Sequence, residues 1–181
     1  MAVSVRNQVT KVFKDIKRDL TKAEVAALNR AGKTAYSRTL KFIRQDYKIK
    51  LSDLKNYFKT SKATKNRIVF TIIAKQKPIA LSKFLTPAQQ SRYMQKQVKS
   101  GVKVTTKRGK RNTYANAFVR KVKNDHVAVL VRKGESQYPL KELYGPDPGK
   151  LFGDKVAQAM LEKVFVERYE IEFNRAVQHV K

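Results

Sequence analysis

The residues with the most distinctive chemistry form a short basic turn near the middle of the chain. Lys107, Arg108, Lys110 and Arg111 surround Gly109, and four cations on one turn are suited to contacting phosphate groups. Such contacts position a protein on nucleic acid without reading base sequence, so we expect binding that weakens steeply with salt. The alternative is a solvated turn without a ligand. The full candidate nucleic-acid-binding set consists of Lys103, Lys107, Arg108, Lys110, Arg111, Arg120, Lys121 and Lys123.

Charge is distributed unevenly along the 181 residues, whose formal net charge is +27 at neutral pH. Residues 54–123 carry 19 Lys and Arg and no acidic residue, whereas residues 124–181 carry 9 basic and 9 acidic residues. Self-repulsion of this size weakens a compact state unless the charges are spread, solvated or opposite a polyanion. An acid-free block of this length favours nucleic acid or an acidic protein surface as the partner, over a merely solvated face.

The sequence gives little support to catalytic or metal-binding chemistry. Neither His126 nor His179 has a second His, a Cys or a pair of carboxylates at metal-ligand spacing. Gly101 and Gly109 lack the strand-to-helix context and the Lys-Ser/Thr pair of a phosphate-binding loop. The chain contains no Cys, and nothing marks a Ser, Thr or Lys as a nucleophile. We therefore expect no enzyme activity, no catalytic residues, no metal and no cofactor.

Acidic and aromatic side chains each allow two interpretations. The acids near the C-terminus form a solvated helix face or pair with the basic block of a neighbouring copy; they are Glu162, Glu167, Glu170 and Glu172. Aromatic residues among the cations would stack nucleic-acid bases if exposed, although core packing is favoured for the phenylalanines. These residues are Tyr47, Tyr57, Phe58, Phe70, Phe84, Tyr93, Tyr114 and Phe118.

Helices are predicted at both ends of the chain. In residues 3–20 apolar side chains recur every three or four positions, as on one face of an amphipathic helix. Thr21 and Glu24 have capping-box spacing, which predicts the start of a second helix or a kink in one longer helix. A short helix is expected at 52–58, and apolar spacing from about residue 150 to 180 predicts a long C-terminal helix. Small residues that permit close packing recur at Ala27, Ala31 and Ala35.

The middle of the chain has the composition of β-strands. Residues 67–75 are rich in β-branched residues and predict a strand with both faces covered. Residues 101–106 alternate as a strand does, and 106–113 are expected to form the basic turn. Residues 114–122 and 126–133 predict two further strands, joined by a short hairpin connection at Lys-Asn-Asp.

This order of elements predicts an α+β fold, with N-terminal helices, a central antiparallel β-sheet with a basic hairpin, and a long C-terminal helix. We expect a single domain over residues 1–181. Its parts are a helical region at 1–60, a basic β-region at 66–146 and the C-terminal helix at 148–181. No apolar run approaches the ~18 residues of a membrane span, so no membrane partner is expected.

The segment YPLKELYGPDPGK (138–150) is punctuated by prolines and precedes the last helix. Proline fixes the local path of the chain and lowers the entropy of the unfolded state. The segment is therefore expected to dock the final helix against the sheet, to press onto a neighbouring subunit, or to do both. The candidate interface residues are Pro139, Leu140, Leu143, Tyr144 and Pro146.

Several segments form a collinear pattern. They are ALNRAGKTAYSRT (27–39), IALSKFL (79–85), GVKVTTKRGKR (101–111), NAFVRKV (116–122), HVAVLVRKG (126–134) and YPLKELYGPDPGKLF (138–152). In this order they resemble the minor tail protein Z family of lambda-like phages and prophages. PLKELYGP at 139–146 is the most specific piece, whereas the basic hairpin alone is a weak signature.

The resemblance implies a structural, tail-completion role late in assembly, at the head-proximal end of the tail or at the neck. It implies a homo-oligomeric ring around the DNA channel, with six copies as in other tail components. The implied partners are a tail tube or tail terminator protein, the head-tail connector or neck proteins, and the end of the genome's DNA. The implied location is the virion, after assembly in the host cytoplasm. No catalytic residue is carried over.

Two other classes of function fit part of the sequence. A free-standing basic nucleic-acid-binding protein explains the charge equally well, but it does not explain the acid-balanced C-terminal region or the collinear motifs. In a third class the basic block meets an acidic protein surface, such as the rim of a tail tube, and never touches DNA. Residue types do not separate this class from DNA contact, because carboxylates and phosphates attract the same cations.

Overall fold

The computed structural model describes residues 2–95 and 100–179, with side chains described from residue 11 onward. The helices are α1 (Ala2–Asp46), α2 (Leu51–Lys55), α3 (Pro87–Gln95), α4 (Pro148–Phe152) and α5 (Lys155–Gln178). The strands are β1 (Phe58–Ser61), β2 (Thr71–Ala74), β3 (Val102–Lys107), β4 (Lys110–Tyr114), β5 (Ala117–Lys121), β6 (Val127–Arg132) and β7 (Leu140–Glu142). Helices at both ends and strands between them confirm the α+β class.

Contacts along the chain group into two compact units. The first, which we call the helical unit, comprises Met1–Thr39, Lys59–Ile73 and Gln158–Lys181. The second, the β unit, comprises Leu40–Phe58 and Ala74–Ala157. Among the residues that the structure describes, no helix has both the length and the apolar character needed to cross a membrane.

Helix α1 continues through Thr21 without a break, so the predicted helix start at that position is wrong. The Thr21 hydroxyl donates a hydrogen bond of 2.9 Å to the carbonyl of Lys17, one turn earlier in the same helix. A threonine inside a helix satisfies its hydroxyl in this way, and Thr-x-x-Glu spacing therefore does not require a cap. The alternative of one longer helix is the one that the structure adopts.

Small residues on α1 make the packing surface of the helical unit. Ala27, Ala31 and Ala35 are fully buried, and the ring of Phe70 packs so closely over Gly32 that a Cβ there would overlap its Cγ and Cδ1. The Asn29 side chain exchanges two hydrogen bonds with the backbone of Ala63, donating to its carbonyl at 3.0 Å and accepting from its amide at 2.8 Å. The segment at 59–73 is thus held on α1 by close packing and by one amide side chain.

The strand predicted over residues 67–75 is shorter than expected and is not covered on both faces. Only Thr71–Ala74 are extended, as β2, which pairs with β1 in a two-stranded sheet. Val69 and Ile73 are 51% and 56% exposed. The β-branched composition gave the correct local preference, but the packing of Phe70 onto Gly32 determines the path of the preceding residues.

Two antiparallel sheets form the β unit. Strands β3 and β4 make a hairpin in which Val102 lies opposite Tyr114, and β5, β6 and β7 form a three-stranded sheet in that order. A short 3₁₀ turn at Leu81–Phe84 packs against β3 and β6. The largest fully buried side chains of this unit are those of Leu40, Leu54, Ile79, Leu81, Val102, Val104 and Val129.

The hairpin bounds differ from the predicted ones. The basic turn is shorter than 106–113, because β3 extends to Lys107 and β4 begins at Lys110. The strand predicted at 114–122 is divided between β4 and β5 by a turn in which Asn116 has a φ of 57°, a conformation that asparagine tolerates better than most residues. The strand predicted at 126–133 and its connection through Lys123–Asp125 are confirmed.

Gly101 is required where β3 begins. Its φ is +79°, and a Cβ on it would overlap the backbone carbonyl oxygen of Tyr114. Only glycine allows both this conformation and this close approach of the two backbones.

The C-terminal helix predicted from residue 148 is divided in two. Asp147 caps α4, its carboxylate accepting a hydrogen bond of 2.8 Å from the amide of Gly149. Residues 153–154 interrupt the helix, and the Asp154 carboxylate accepts from the amide of Val156 at 3.0 Å in the first turn of α5. Both carboxylates satisfy helix amides that have no partner inside the helix.

Candidate nucleic-acid interface

The β3–β4 hairpin presents five of the predicted cations to solvent. Alternation along β3 buries Val102 and Val104 and leaves Lys103 exposed. The register places Arg111 opposite Thr105, on the same face as Lys103. Among the described residues, no carboxylate forms an ion pair with any cation of this hairpin. The cations are Lys103, Lys107, Arg108, Lys110 and Arg111, and all are exposed.

The end of α1 holds this hairpin in place. The amide of Arg108 donates to the carbonyl of Asp46 at 2.6 Å, and the amide of Lys48 donates to the carbonyl of Thr106 at 2.9 Å. The Nε of Arg108 also donates to the carbonyl of Arg44 at 3.3 Å. The last carbonyls of a helix lack partners and carry partial negative charge, so a cation is stabilising there. Arg108 therefore anchors the hairpin, a role that the sequence did not reveal.

The other three predicted cations lie on the β5–β6 hairpin, also in the β unit. Arg120 is exposed on β5, and Lys123 is exposed in the connecting turn. Lys121 forms an ion pair of 2.8 Å with Asp125 across that turn. Both partners are exposed, and exposed pairs are weak enough for a phosphate to compete. All eight predicted residues are thus exposed and belong to one unit, on two hairpins.

The proline-rich bend is fixed inside the β unit by its backbone. The amide of Leu143 donates to the carbonyl of Val129 at 2.8 Å, which extends the pairing of β7 with β6. Residues 143–146 also exchange three hydrogen bonds with residues 79–81, of 3.1, 2.7 and 3.1 Å. The bend is therefore part of the β unit, through a strand, β7, that the sequence did not predict.

The side chains of the bend differ in exposure. Leu140, Leu143 and Pro146 are half-buried, whereas Pro139 and Tyr144 are exposed. The hydroxyl of Tyr144 donates to Glu142 at 2.9 Å, and the other oxygen of that carboxylate lies 2.8 Å from Nε2 of His126. The hydrogen bond to Glu142 raises the pKa of Tyr144, with a smaller contribution from burial. Of the five predicted interface residues, Pro139 and Tyr144 are the two whose side chains are exposed.

The histidines and the C-terminal acids have local environments that the sequence left open. His126 contacts Glu142, and the described residues contain no group of three potential metal ligands. Glu172 forms ion pairs with Arg30 at 3.1 Å and with Arg175 at 3.3 Å. The remaining three acids, Glu162, Glu167 and Glu170, are exposed.

The comparison with protein families gives one match over nearly the whole chain. The sequence model described as prophage minor tail protein Z (GPZ) matches residues 6–179. Neither the curated proteins nor the solved structures contain a match to this chain. The match covers the helices, both hairpins and the bend that carried the resemblance in the sequence. The chain therefore belongs to the prophage minor tail protein Z family.

Proposed function

We propose that this minor tail protein forms a ring at the head-proximal end of the tail or at the neck, and that its β3–β4 hairpin contacts the DNA in the channel. Membership of the family makes it a structural protein of a phage tail, located in the virion and in contact with other tail proteins. The position, the ring and the DNA contact go beyond family membership and are argued from the hairpin and the bend.

The observation that carries the DNA contact is an anchored hairpin with unpaired cations. The end of α1 fixes the hairpin backbone, so the loop itself need not become ordered when its cations meet a partner. No described carboxylate neutralises them, so a polyanion would replace only water and counterions. These contacts carry no base specificity, which suits a protein that holds whichever DNA end reaches it.

The bend and the C-terminal acids support contact between copies. Pro139 and Tyr144 project from a backbone that is already held in place, so a neighbour would not need to order the loop. The exposed acids Glu162, Glu167 and Glu170 of one copy would face the basic block of the next. A contact between two different surfaces of the same chain repeats head to tail and closes into a ring when its rotation permits. Six copies is the number that the resemblance to tail components suggests.

The proposed role is structural and not catalytic, and it needs no cofactor. The ring would form in the host cytoplasm and would bind the tail tube or terminator on one side and the connector or neck proteins on the other. It would hold the end of the genome's DNA between them.

Removal of three hairpin cations tests this proposal. Lys107→Gln, Lys110→Gln and Arg111→Gln together leave Arg108 and its anchor on α1 intact. The matched control is Lys14→Gln, Lys33→Gln and Arg38→Gln, which removes the same charge from exposed positions of α1. We expect phage carrying the hairpin variant to assemble complete particles that lose DNA more readily in high salt than the control. DNA retention equal to that of the control would refute the DNA contact.

Two further outcomes separate the other classes of function. If the hairpin variant fails to join tails although the protein is folded, the basic block contacts an acidic protein surface instead of DNA. Sedimentation of the purified protein tests the ring: a closed oligomer, or co-sedimentation with tails, is expected. A small species that binds DNA but never associates with particles would favour a free-standing nucleic-acid-binding protein.

A further inference from the structure

A cavity of about 360 Å³ opens beside the β5–β6–β7 sheet and helix α3. Arginine and aromatic side chains dominate its lining, and none of the described residues that line it is acidic. The residues that give the cavity its chemistry are Tyr93, Phe118, Arg120, Arg132 and Tyr138. The sequence pointed to Arg120 as one of the cations and to Tyr93 and Phe118 as aromatic residues that would stack bases if exposed, but not to Arg132 or Tyr138.

The strand register brings these side chains to one face of the sheet. Phe118 and Arg120 are two residues apart on β5 and therefore point to the same side. Phe118 lies opposite Leu130 on β6, which places Arg132, two residues further along β6, on the same side. The Arg132 guanidinium lies 5.5 Å from the centroid of the Phe118 ring, a cation–π contact that orders both side chains.

Two tyrosines complete the walls of the cavity. The hydroxyl of Tyr93 accepts a hydrogen bond of 3.1 Å from the amide of Lys103, which fixes the end of α3 relative to the first basic hairpin. Tyr138, by contrast, is 67% exposed. Its ring therefore has a face available to a ligand.

The electrostatics of the cavity favour an anionic ligand that carries a planar ring. Among the described residues, neither Arg120 nor Arg132 has a carboxylate partner. Two guanidinium groups without a carboxylate partner match a phosphate or a carboxylate. The exposed ring of Tyr138 adds a requirement that a carboxylate alone does not meet, because aromatic faces bind flat ring systems by stacking.

We propose that this cavity binds an unpaired nucleotide of single-stranded nucleic acid, with its phosphate at Arg120 and Arg132 and its base against the exposed ring of Tyr138. A base inside a duplex is paired and stacked, so only an unpaired base can enter. The site rests on the proposed DNA contact, since it would capture the terminal bases of a strand whose backbone the β3–β4 hairpin also touches. An acidic peptide would satisfy the guanidinium groups but would leave the aromatic walls without a stacking partner.

Anisotropy titrations with a labelled short oligothymidylate and with a labelled duplex test this site. The cavity variants are Tyr138→Leu, which removes an exposed ring, and the double variant Arg120→Gln with Arg132→Gln. The matched control is Lys133→Gln with Lys141→Gln, which removes the same charge from exposed positions that do not line the cavity. The midpoint of urea unfolding shows whether each variant is folded.

We expect the arginine variant to bind the single strand about five- to tenfold more weakly than the control, with duplex binding equal to the control's. We expect Tyr138→Leu to lose about as much single-strand affinity relative to the parent protein, with duplex binding equal to the parent's. Tyr138→Leu tests stacking alone, because it changes no charge. Single-strand binding equal to the control's would overturn the proposal. Labelled polyglutamate serves as a carboxylate probe. If Tyr138→Leu has no effect and the arginine variant loses as much affinity for polyglutamate as for oligothymidylate, the cavity binds carboxylates and the proposal is also overturned.

The hairpin variant separates this site from the proposed function. Loss of the three hairpin cations is expected to weaken single-strand and duplex binding by the same factor, and to leave the ratio between them unchanged. If the hairpin variant binds duplex DNA as tightly as its matched control at Lys14, Lys33 and Arg38, the proposed contact between the hairpin and DNA is refuted. The cavity is judged by the ratio of single-strand to duplex affinity, which does not depend on that result.

Discussion

Two regions of the molecule differ in how their cations are partnered. In the helical unit several basic side chains form ion pairs with carboxylates of the same unit, as Arg18 does with Asp15, Lys22 with Asp19 and Arg30 with Glu172. The pKa of Asp19 is lowered by its hydrogen bonds with Lys22 and Arg18. In the β unit the five cations of the β3–β4 hairpin have no such partner among the described residues.

This difference separates charge that is already paired within the fold from charge that is available to a partner. An exposed ion pair contributes little to stability, but its carboxylate also cancels the attraction for a passing phosphate. A cation without a partner retains that attraction in full. The net charge therefore overstates the binding surface, and the β3–β4 hairpin combines five cations that lack carboxylate partners among the described residues with a backbone held by the end of α1.

The largest expected effect is on the backbone of the β unit. Gly101→Ala places a Cβ against the Tyr114 carbonyl in a left-handed conformation, and we expect it to lower the free energy of unfolding by about 3 to 5 kcal/mol. Urea unfolding monitored by circular dichroism measures the change.

Gly109→Ala is the matched control, because Gly109 has a φ of +77° but no neighbouring atom within 4 Å of a Cβ. Only the conformational cost applies there, so we expect a loss of about 1 kcal/mol. Equal effects at the two glycines would show that the contact with Tyr114 does not restrict the start of β3.

The second effect concerns DNA affinity. The change of Lys107, Lys110 and Arg111 to Gln removes up to three phosphate contacts, so the slope of log affinity against log salt is expected to fall by roughly 2 to 3 for duplex DNA. The α1 variant at Lys14, Lys33 and Arg38 should leave the slope close to that of the parent. If the hairpin variant and the α1 variant change the slope equally, DNA binding follows net charge, and the hairpin is not the preferred contact.

A third prediction addresses packing in the helical unit. Alanine is ordinarily better than glycine in a helix by up to about 1 kcal/mol, but a Cβ at Gly32 overlaps the Phe70 ring. We expect Gly32→Ala to destabilise by about 1 kcal/mol in the parent and to stabilise in a Phe70→Ala background. A double-mutant cycle of urea midpoints measures the change of sign, and the same sign in both backgrounds would contradict the proposed packing.

The smallest effect is expected at an ion pair of the helical unit. Arg30→Gln removes one partner of Glu172, which keeps its contact with Arg175. Because Arg30 is largely exposed, we expect a loss of about 0.5 kcal/mol or less, and less still in high salt. A loss above about 2 kcal/mol would contradict the conclusion that the exposed ion pairs of the helical unit contribute little to stability.

Local patterns in the sequence predicted the helices and the hairpins, and pairing between distant residues accounts for what was missed. Helical spacing and strand alternation depend on neighbouring residues, so α1, α5, β3 and β6 could be identified. Strand β7, the third strand of the β5–β6–β7 sheet, is held by the backbone hydrogen bond of Leu143 to Val129 and by those between residues 143–146 and 79–81. Phe70, which directly precedes the short β2, packs on Gly32 of α1. Neither contact leaves a periodic signal.

The candidate site also combines features that residue types predicted with features that depend on contacts between distant residues. Charge alone identified the eight basic residues, and all are exposed. Charge did not distinguish Arg108, which caps α1, or Lys121, which pairs with Asp125. Arg132 and Tyr138 were not singled out, because they reach the cavity through the register of β6 and the path of the bend. A residue's type suggests what it can bind, but its partners in the fold decide whether it is free to do so.

The orientation of the β3–β4 hairpin in the intact particle tests the central claim most directly. A cryo-electron microscopy reconstruction of tails, detailed enough to place this protein, would show where Lys107, Lys110 and Arg111 point. We predict that they line the channel, within contact distance of DNA density. If these side chains instead lie on the outer surface of the particle in open solvent, the unpaired charge has no polyanionic partner and the account is contradicted.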